Sequence, residues 1–232
     1  MISCKASCLS NRGGLQLDHA FIACAAGAPE GNALVQQGFV EGSSNTHPGQ
    51  GTANRRFFFE NFMLELVWVA DPAAAQSERT RRTRLWERCE RRDAGANPFG
   101  IIFRSAQVEP APAPFPTWSY APAYLPAGLS MQIAEGTTLY EPELFYLPFL
   151  RGAATRREPV IHALPIRQVS GLAVGVPRLR ELSAASRIAE SRALVRYFES
   201  SQHVLEILFE GPPDMCCDLR PHLPLVFRSS PA

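Results

Sequence analysis

The sequence lacks the features that mark several classes of protein. Its longest apolar runs, such as residues 20–26, are far shorter than the ~20 residues of a membrane-spanning helix, and its first ten residues contain no apolar signal-peptide core. The formal net charge is only +1, so no overall field attracts nucleic acid. With 46% hydrophobic and 19% charged residues, the chain is also too apolar for disorder. We therefore expect a cytoplasmic globular protein that binds neither membranes nor nucleic acid.

Lysine is almost absent, because Lys5 is the only lysine among 23 basic residues. A GC-rich genome favours arginine codons, so this bias predicts a bacterial source. Arginine also binds anions in a forked geometry, which leaves a functional reason as the alternative.

Known catalytic and metal-binding motifs are absent as well. Without a secretory signal we expect the six cysteines to be reduced thiols, and they form no CxxC pair and no Cys/His zinc spacing. The chain contains no phosphate-binding loop, no nucleophile elbow, no HExxH and no dinucleotide fingerprint. Any chemistry must come from residues brought together by the fold.

The hydrophobic pattern predicts an α+β protein with two modules. Residues 15–71 contain strand, helix, strand, strand and strand signals in turn. The pattern returns after residue 160, with a strand at 166–176, a helix from Pro177 and strands at 203–209 and 223–228. We predict a flexible tail at 1–14, a first βαβββ module at 15–71, a linker helix at 72–97, a strand-rich middle segment at 98–150 and a second, diverged βαβββ-like module at 160–229.

The linker carries seven arginines between residues 79 and 92, mixed with glutamates. This mixture predicts a solvated helix face. An anion-binding or partner-binding patch is the alternative.

Two polar residues interrupt apolar faces of predicted strands. Residues two apart in a strand share a face, which places His19 and Glu65 among apolar neighbours: Leu15, Leu17, Phe21 and Ala23 around His19, and Met63, Val67 and Val69 around Glu65. A carboxylate in such a place must be paired, protonated or bound to a metal. The pattern leaves open a divalent metal site, a His–Glu hydrogen bond and a wet cavity. Glu143 and Glu206 share their faces with other polar residues and are less anomalous.

The loop at 47–55 concentrates hydrogen-bonding side chains beside two glycines: His47, Gln50, Thr52, Asn54 and Arg55. Glycines let the backbone approach a ligand closely. The loop therefore predicts either a ligand-binding mouth or a structural turn between strands.

Four stretches carry a family resemblance: LDHAFIA, HPGQGTANRRFFFENFMLELVWV, EPELFYLP and DLRPHLPLVFR. They resemble the glyoxalase-like proteins of the vicinal oxygen chelate superfamily, which also includes extradiol dioxygenases and bleomycin-resistance proteins. The resemblance implies paired βαβββ modules that form a curled mixed sheet around a cavity, with a strand-rich middle segment inserted. It also implies a divalent metal (Zn, Ni, Mn or Fe) that chelates vicinal oxygens of a small-molecule substrate, and often a homodimer.

In that family each module supplies one pair of metal ligands, which implies His19 and Glu65 from the first module, with Glu65 also shuttling a proton. The glutamate-type positions of the other segments carry Glu143 and Glu206, but the histidine-type positions carry Gly100 or Gly171. His47 or His162 could complete the set.

This departure leaves three hypotheses. The first is a metal-dependent lyase or isomerase acting on a vicinal-oxygen substrate. The second is a metal-free, drug-sequestering binding protein with aromatic cavity walls, for which five residues are available: Phe57, Phe59, Trp68, Trp118 and Tyr146. The third is a scaffold protein that uses the arginines of the linker.

Overall fold

The computed structural model describes residues 15–106, 111–150, 157–192 and 195–229. These residues form two mixed β-sheets with a few short helices, so the predicted α+β class is confirmed. The predicted tail at 1–14 lies outside the described residues. Within the described part of the chain, no helix is both long and apolar enough to cross a membrane.

The first module forms one half of an eight-stranded sheet. In chain order it contains β1 (Leu15–Ala23), α1 (Gly31–Gln36), β2 (Asn45–His47), β3 (Thr52–Phe58) and β4 (Met63–Val69). The strand order is β2-β3-β4-β1, with β1 parallel to β4. The β-α-β-β-β order agrees with the prediction, and β2 ends at His47, the first residue of the loop at 47–55.

The chain leaves α1 at Gly38, which has a φ of +82°. A side chain there would be strained by this left-handed conformation. A Cβ on Gly38 would also lie 2.5 Å from the Cβ of Ala163. Glycine at this helix end therefore has both a conformational and a packing reason.

The middle segment forms the other half of the same sheet. Its strands β5 (Phe99–Ser105), β6 (Thr117–Tyr120), β7 (Met131–Ala134) and β8 (Glu143–Leu147) pair in the order β5-β8-β7-β6, with β5 parallel to β8. This pairing repeats that of the first module, and antiparallel β1 and β5 join the halves. Residues 111–116, at the end of the connector from β5 to β6, carry three prolines and contain no helix. The curled sheet of paired modules is thus present.

The last part of the chain forms a separate five-stranded sheet. It contains β9 (Val169–Val176), α4 (Ala184–Ser191), β10 (Val195–Glu199), β11 (Val204–Phe209), β12 (Cys216–Asp218) and β13 (Leu225–Ser229) in the strand order β10-β9-β11-β13-β12.

This pairing differs from the one that we expected for residues 160–229. Here β9 pairs in parallel with β10 across α4, whereas the first strand of a module pairs in parallel with its last strand. A short apolar run has the right pattern for either partner, so hydrophobicity could not decide between them. The strand that pairs with β1 comes from the middle segment. The domain boundaries themselves remain a prediction.

The two faces of the eight-stranded sheet have different partners. Ala20, Ile22 and Leu64 belong to a core cluster that also contains Val174 and Phe227 of the five-stranded sheet. Phe21 and Val67, on the same strands, belong to a smaller apolar cluster on the opposite face, together with Ile102, Phe145 and Leu147. The second sheet therefore covers one face and leaves the other to form a cavity.

The linker is a series of short helices and not one long surface helix. It contains α2 (Pro72–Ala75) and α3 (Leu85–Glu90) with 3₁₀ turns between and after them. Arg88 is fully buried, and its guanidinium donates to the carbonyl oxygens of Asn97 and Glu141, both at 2.9 Å, and to the carboxylate of Glu143. The predicted solvated face therefore does not include Arg88, which ties α3 to the middle segment.

Candidate functional site

A cavity of about 200 Å³ lies on the face of the eight-stranded sheet that the second sheet leaves free. Its polar lining residues are His19, His47, Gln50, Glu65 and Tyr124, and its apolar lining residues are Phe21, Val67, Leu85, Ile102, Leu125, Met131, Phe145, Leu147 and Phe149. Among the described residues, the polar groups come from the first module, except for Tyr124. The polar groups are thus concentrated on one wall of the cavity, beside Phe21 and Val67, and the middle segment supplies most of the apolar lining.

His19 reaches the cavity through an irregularity in β1. The pairing of β1 with β5 shifts between Leu17 and His19, which makes Asp18 the extra residue of a β-bulge. The bulge reverses the alternation, so Leu17 packs with the core between the sheets while His19 lines the cavity with Phe21. The expectation that His19 shares a face with Leu15 and Leu17 is therefore wrong. The expectation that it shares a face with Phe21 is right.

The bulge also brings Asp18 beside its neighbour. The Asp18 carboxylate lies 2.7 Å from Nδ1 of His19 and 3.3 Å from Nε of Arg104. A carboxylate on Nδ1 favours the tautomer with its proton there and leaves Nε2 with a free lone pair. Nε2 of His19 can then accept a proton or bind a metal ion.

Glu65 lies on β4, two positions along from the residue that pairs with His19. Its Oε1 accepts a hydrogen bond of 3.0 Å from Nδ2 of Asn54, and the backbone N–H of Asn45 donates to Oδ1 of Asn54 at 2.8 Å. The second bond fixes the Asn54 amide with its nitrogen towards Glu65. Asn54 is fully buried and holds Glu65 from behind, so it supports the site without lining the cavity.

His47 ends β2 and lies at the edge of the polar wall. Nδ1 of His47 and Nε2 of Gln50 both contact Oγ1 of Thr52, at 2.9 and 2.8 Å. Because Gln50 donates to this oxygen, the Thr52 hydroxyl can donate to Nδ1 of His47, which puts the ring proton on Nε2. Burial lowers the pKa of His47 below 6.5, against a smaller opposing effect of Glu65, and so favours a neutral ring. His47 then offers an N–H donor to a ligand.

The predicted binding residues of the loop thus divide into three groups. His47 and Gln50 line the cavity, and Thr52 supports both of them. Arg55 lies elsewhere: its guanidinium binds both carboxylate oxygens of Glu41, at 2.9 and 2.6 Å, and the carbonyl oxygen of Ala28. It ties β3 to the region of α1 and is not among the cavity-lining residues.

The predicted metal ligands are also dispersed. Glu143 is 1% exposed and forms ion pairs with Arg84 and Arg88, at 2.7 and 3.1 Å, outside the cavity. Glu206 pairs with Arg228 on the second sheet.

His162, considered above as a completing ligand, is fixed by two backbone groups. It accepts at Nδ1 from the N–H of Val40, at 3.0 Å, and its Nε2 donates to the carbonyl oxygen of Phe58. Three of the predicted ligands line the cavity: His19, Glu65 and His47.

The donor set of the cavity has the right chemistry for a divalent metal, namely two imidazoles and a carboxylate. The described residues nevertheless contain no group of three His, Cys, Asp or Glu side chains close enough to hold a metal ion. As they stand, His19, His47 and Glu65 do not fit a resident metal, and the chemistry proposed below rests on the acid and base groups of the protein.

The predicted aromatic walls lie elsewhere as well. Phe57, Phe59 and Tyr146 belong to the core between the sheets, and Trp68 packs against it. The guanidinium of Arg82 covers Trp118. The aromatic lining comes from other residues: Phe21, Phe145 and Phe149.

Two parts of the site were missed by the sequence analysis. Asp18 is not predicted as part of the site, because strict alternation places adjacent strand residues on opposite faces. Tyr124 lies between β6 and β7, in a segment whose position over the cavity depends on pairing between distant strands. An Asp-His pair within an apolar strand was the one available signal.

Known proteins are similar to this chain in sequence or in structure. A family model described as a glyoxalase-like domain matches residues 17–186. Among solved structures, the chain is similar to a hypothetical protein from Staphylococcus aureus (9% identity, TM-score 0.48, 93% of this chain and 100% of that chain). It is also similar to a mutant of 4-hydroxymandelate synthase from Streptomyces coelicolor (13% identity, TM-score 0.41, 94% of this chain and 62% of that chain). No curated protein matches the chain.

Proposed function

Because the chain belongs to the glyoxalase-like domain family, we propose that it binds a small oxygenated molecule in its cavity and acts on it as a lyase or isomerase. One observation carries the proposal. Two acceptors, Glu65 and Nε2 of His19, and a neutral donor, His47, line one wall of a cavity that is otherwise mostly apolar. Proton acceptors and a donor around one wall are what proton abstraction beside a carbonyl requires.

The proposed reaction begins with the carbonyl oxygen of the substrate accepting a hydrogen bond from Nε2–H of His47. The Glu65 carboxylate removes a proton from the neighbouring carbon, and the electron pair moves to the carbonyl oxygen to give an enolate. Where the carbon that lost the proton bears a hydroxyl, the enolate is an enediolate. Transfer of the hydroxyl proton to the former carbonyl oxygen, and return of the abstracted proton from Glu65 to the former carbonyl carbon, then complete an isomerisation. Expulsion of a leaving group from the same enolate gives a lyase reaction. Apolar walls strengthen the stabilisation of the charge on oxygen by excluding water.

Asp18 and Asn54 act through the two acceptors. The Asp18 carboxylate contacts Nδ1 of His19 and so leaves the lone pair of Nε2 for the substrate. Asn54 holds one oxygen of Glu65 and leaves the other for the substrate. Both are positioning residues, and neither lines the cavity.

The metal-dependent form of this function requires Zn, Ni, Mn or Fe to bind at His19 and Glu65, with these side chains moving closer together. Equilibrium dialysis of wild-type protein and of the variant His19→Ala against each metal tests this form. Stoichiometric binding that His19→Ala abolishes supports it. Absence of binding to the wild type, or equal binding by both proteins, rejects a metal site at His19. The acid–base form of the proposal then remains.

Proton exchange tests the catalytic proposal directly. Wild-type protein is incubated in D2O with a panel of small hydroxy-ketones and 2-oxo acids, and loss of the C–H signal beside the carbonyl is followed by NMR. We expect exchange above the protein-free rate for at least one compound that binds. Binding without exchange across the panel contradicts catalysis.

That last outcome favours the second candidate, a metal-free ligand-binding or drug-sequestering protein. The observations in its favour are the largely apolar lining and, among the described residues, the separation of His19, His47 and Glu65, which do not form a group that could hold a metal ion. Ligand binding that survives a chelator, without turnover, identifies this function.

We further propose that this protein is bacterial, works in the cytoplasm and forms a homodimer. The source and compartment rest on the sequence alone, and the dimer rests on the family. Sedimentation equilibrium at micromolar concentration distinguishes a 25.5 kDa monomer from a dimer of twice that mass.

A further inference from the structure

The division of the cavity into two walls restricts what can fill it. His19, His47 and Glu65 face the interior from the first module, and the opposite wall offers Ile102 and Phe145 from the middle segment. A substrate with polar groups at both ends would bury one end against apolar side chains without a partner, which costs several kcal/mol in general. The matching ligand has a single oxygenated head.

The size of the cavity indicates how large an apolar group it can enclose. Its volume is about 200 Å³. A dry apolar cavity of ~150 Å³ accommodates benzene. The remaining volume holds a few more atoms, so a phenyl-sized body with a short oxygenated group fits the space.

Tyr124 lies beside His47 and Gln50, where the oxygenated head of such a ligand would bind. Its ring lies 4.8 Å from the ring of His47, centroid to centroid. Its hydroxyl has a contact of 3.5 Å with Oε1 of Gln50, at the outer limit of a hydrogen bond. The hydroxyl of Tyr124 therefore keeps its donor capacity for a better-placed acceptor, such as the oxygen of a ligand.

The segment that carries Tyr124 is held in place. The N–H of Leu125 donates to the carbonyl oxygen of Pro122, and that of Leu129 to the carbonyl oxygen of Pro126, both at 3.1 Å. Prolines in these turns fix the backbone further. Tyr124 is thus presented by an ordered segment, as a specificity-determining residue needs.

We propose that the substrate is a compact amphiphile, with a hydroxy-carbonyl head on a phenyl-sized apolar body, and that Tyr124 recognises the head by donating a hydrogen bond to it. This inference rests on the proposed function of the same cavity. It adds the class of substrate and a residue that determines specificity.

Isothermal titration with three probes tests the substrate class: 2-hydroxyacetophenone, which has both parts, hydroxyacetone, which lacks the ring, and ethylbenzene, which lacks the oxygens. We expect 2-hydroxyacetophenone to bind at least about tenfold more tightly than either of the others, because burial of a phenyl-sized group and head recognition both contribute. Equal or tighter binding of hydroxyacetone overturns the inference.

The variant Tyr124→Phe tests the residue, because it removes the hydroxyl and keeps the ring. We expect a loss of roughly five- to tenfold in affinity for 2-hydroxyacetophenone, the effect of one neutral hydrogen bond, with no loss for ethylbenzene. Tyr140→Phe, on an exposed side chain outside the cavity, is the matched control and changes neither value. An equal loss for both probes, or no loss for either, overturns the role of Tyr124.

These measurements are independent of turnover. If 2-hydroxyacetophenone binds with the expected preferences but undergoes no exchange in D2O, the inference stands and the catalytic proposal fails. If exchange is seen only with compounds that lack an apolar body, the catalytic proposal stands and the inference fails.

Discussion

The two halves of the eight-stranded sheet have the same strand pairing but opposite roles in the cavity. Register across the sheet puts Glu65, Phe21, Gly100 and Glu143 in one row over four neighbouring strands, with a glutamate at each end. Glu65 lines the cavity, whereas Glu143 is enclosed by Arg84 and Arg88. The same residue type at matching strand positions can therefore serve either a ligand or the fold, depending on its neighbours.

The largest expected effect concerns the structural member of this pair. Glu143→Gln leaves the fully buried Arg88 without its counter-charge, and breaking such a pair costs about 3 to 5 kcal/mol. Urea denaturation measures the free energy of unfolding. An unchanged value would show that Glu143 is not a structural counterpart of Glu65 and would break the comparison.

The next effect concerns the other glutamate. Glu65→Gln keeps an oxygen for Asn54 but removes the base, so we expect proton exchange to fall about a hundredfold or more. Its unfolding free energy should change far less than that of Glu143→Gln. A fall in stability with full exchange activity would mean that the roles of the two glutamates are reversed.

A smaller effect on proton exchange is expected from a change at Asp18, the bulge residue of the first module. Asp18→Asn preserves the shape but weakens the hold on Nδ1 of His19, so exchange should fall roughly tenfold. Nitrogen NMR of His19 should also show a changed tautomer ratio, a signal that a general loss of stability would not produce. An unchanged ratio together with full activity would contradict the positioning role of Asp18.

The smallest effect concerns the pH dependence of stability and two histidines outside the cavity. Burial lowers the pKa of His162 and of His203 below 6.5, so the unfolded chain takes up their protons before the folded one does. The free energy of unfolding should therefore decrease as the pH falls from 7 to 5. His162→Gln should flatten this decrease in urea titrations. A stability that rises towards pH 5 would contradict the neutral state of both rings in the folded protein.

The sequence was sufficient where a residue broke a local pattern. His19 and Glu65 interrupt apolar strands, and both line the cavity, although their roles stay predictions. The β-α-β-β-β order of the first module also follows from local periodicity and glycine or proline positions.

The sequence was insufficient where a contact joined distant segments. Nothing local distinguishes Arg55, which binds Glu41, from a ligand-binding arginine, or Arg88, which is buried, from its solvated neighbours. The choice of β5 as the partner of β1 depends on three-dimensional pairing of runs that are similarly apolar. The bulge at Asp18 inverts the alternation that a sequence argument has to assume.

A crystal structure of the protein with bound 2-hydroxyacetophenone tests the central claim most directly, since that claim assigns opposite roles to the two halves of one sheet. The account predicts the oxygens within hydrogen-bond distance of His47, Tyr124 and Glu65, with the ring against Ile102 and Phe145. Density for the ligand in the reversed orientation, or outside this cavity, would contradict the account.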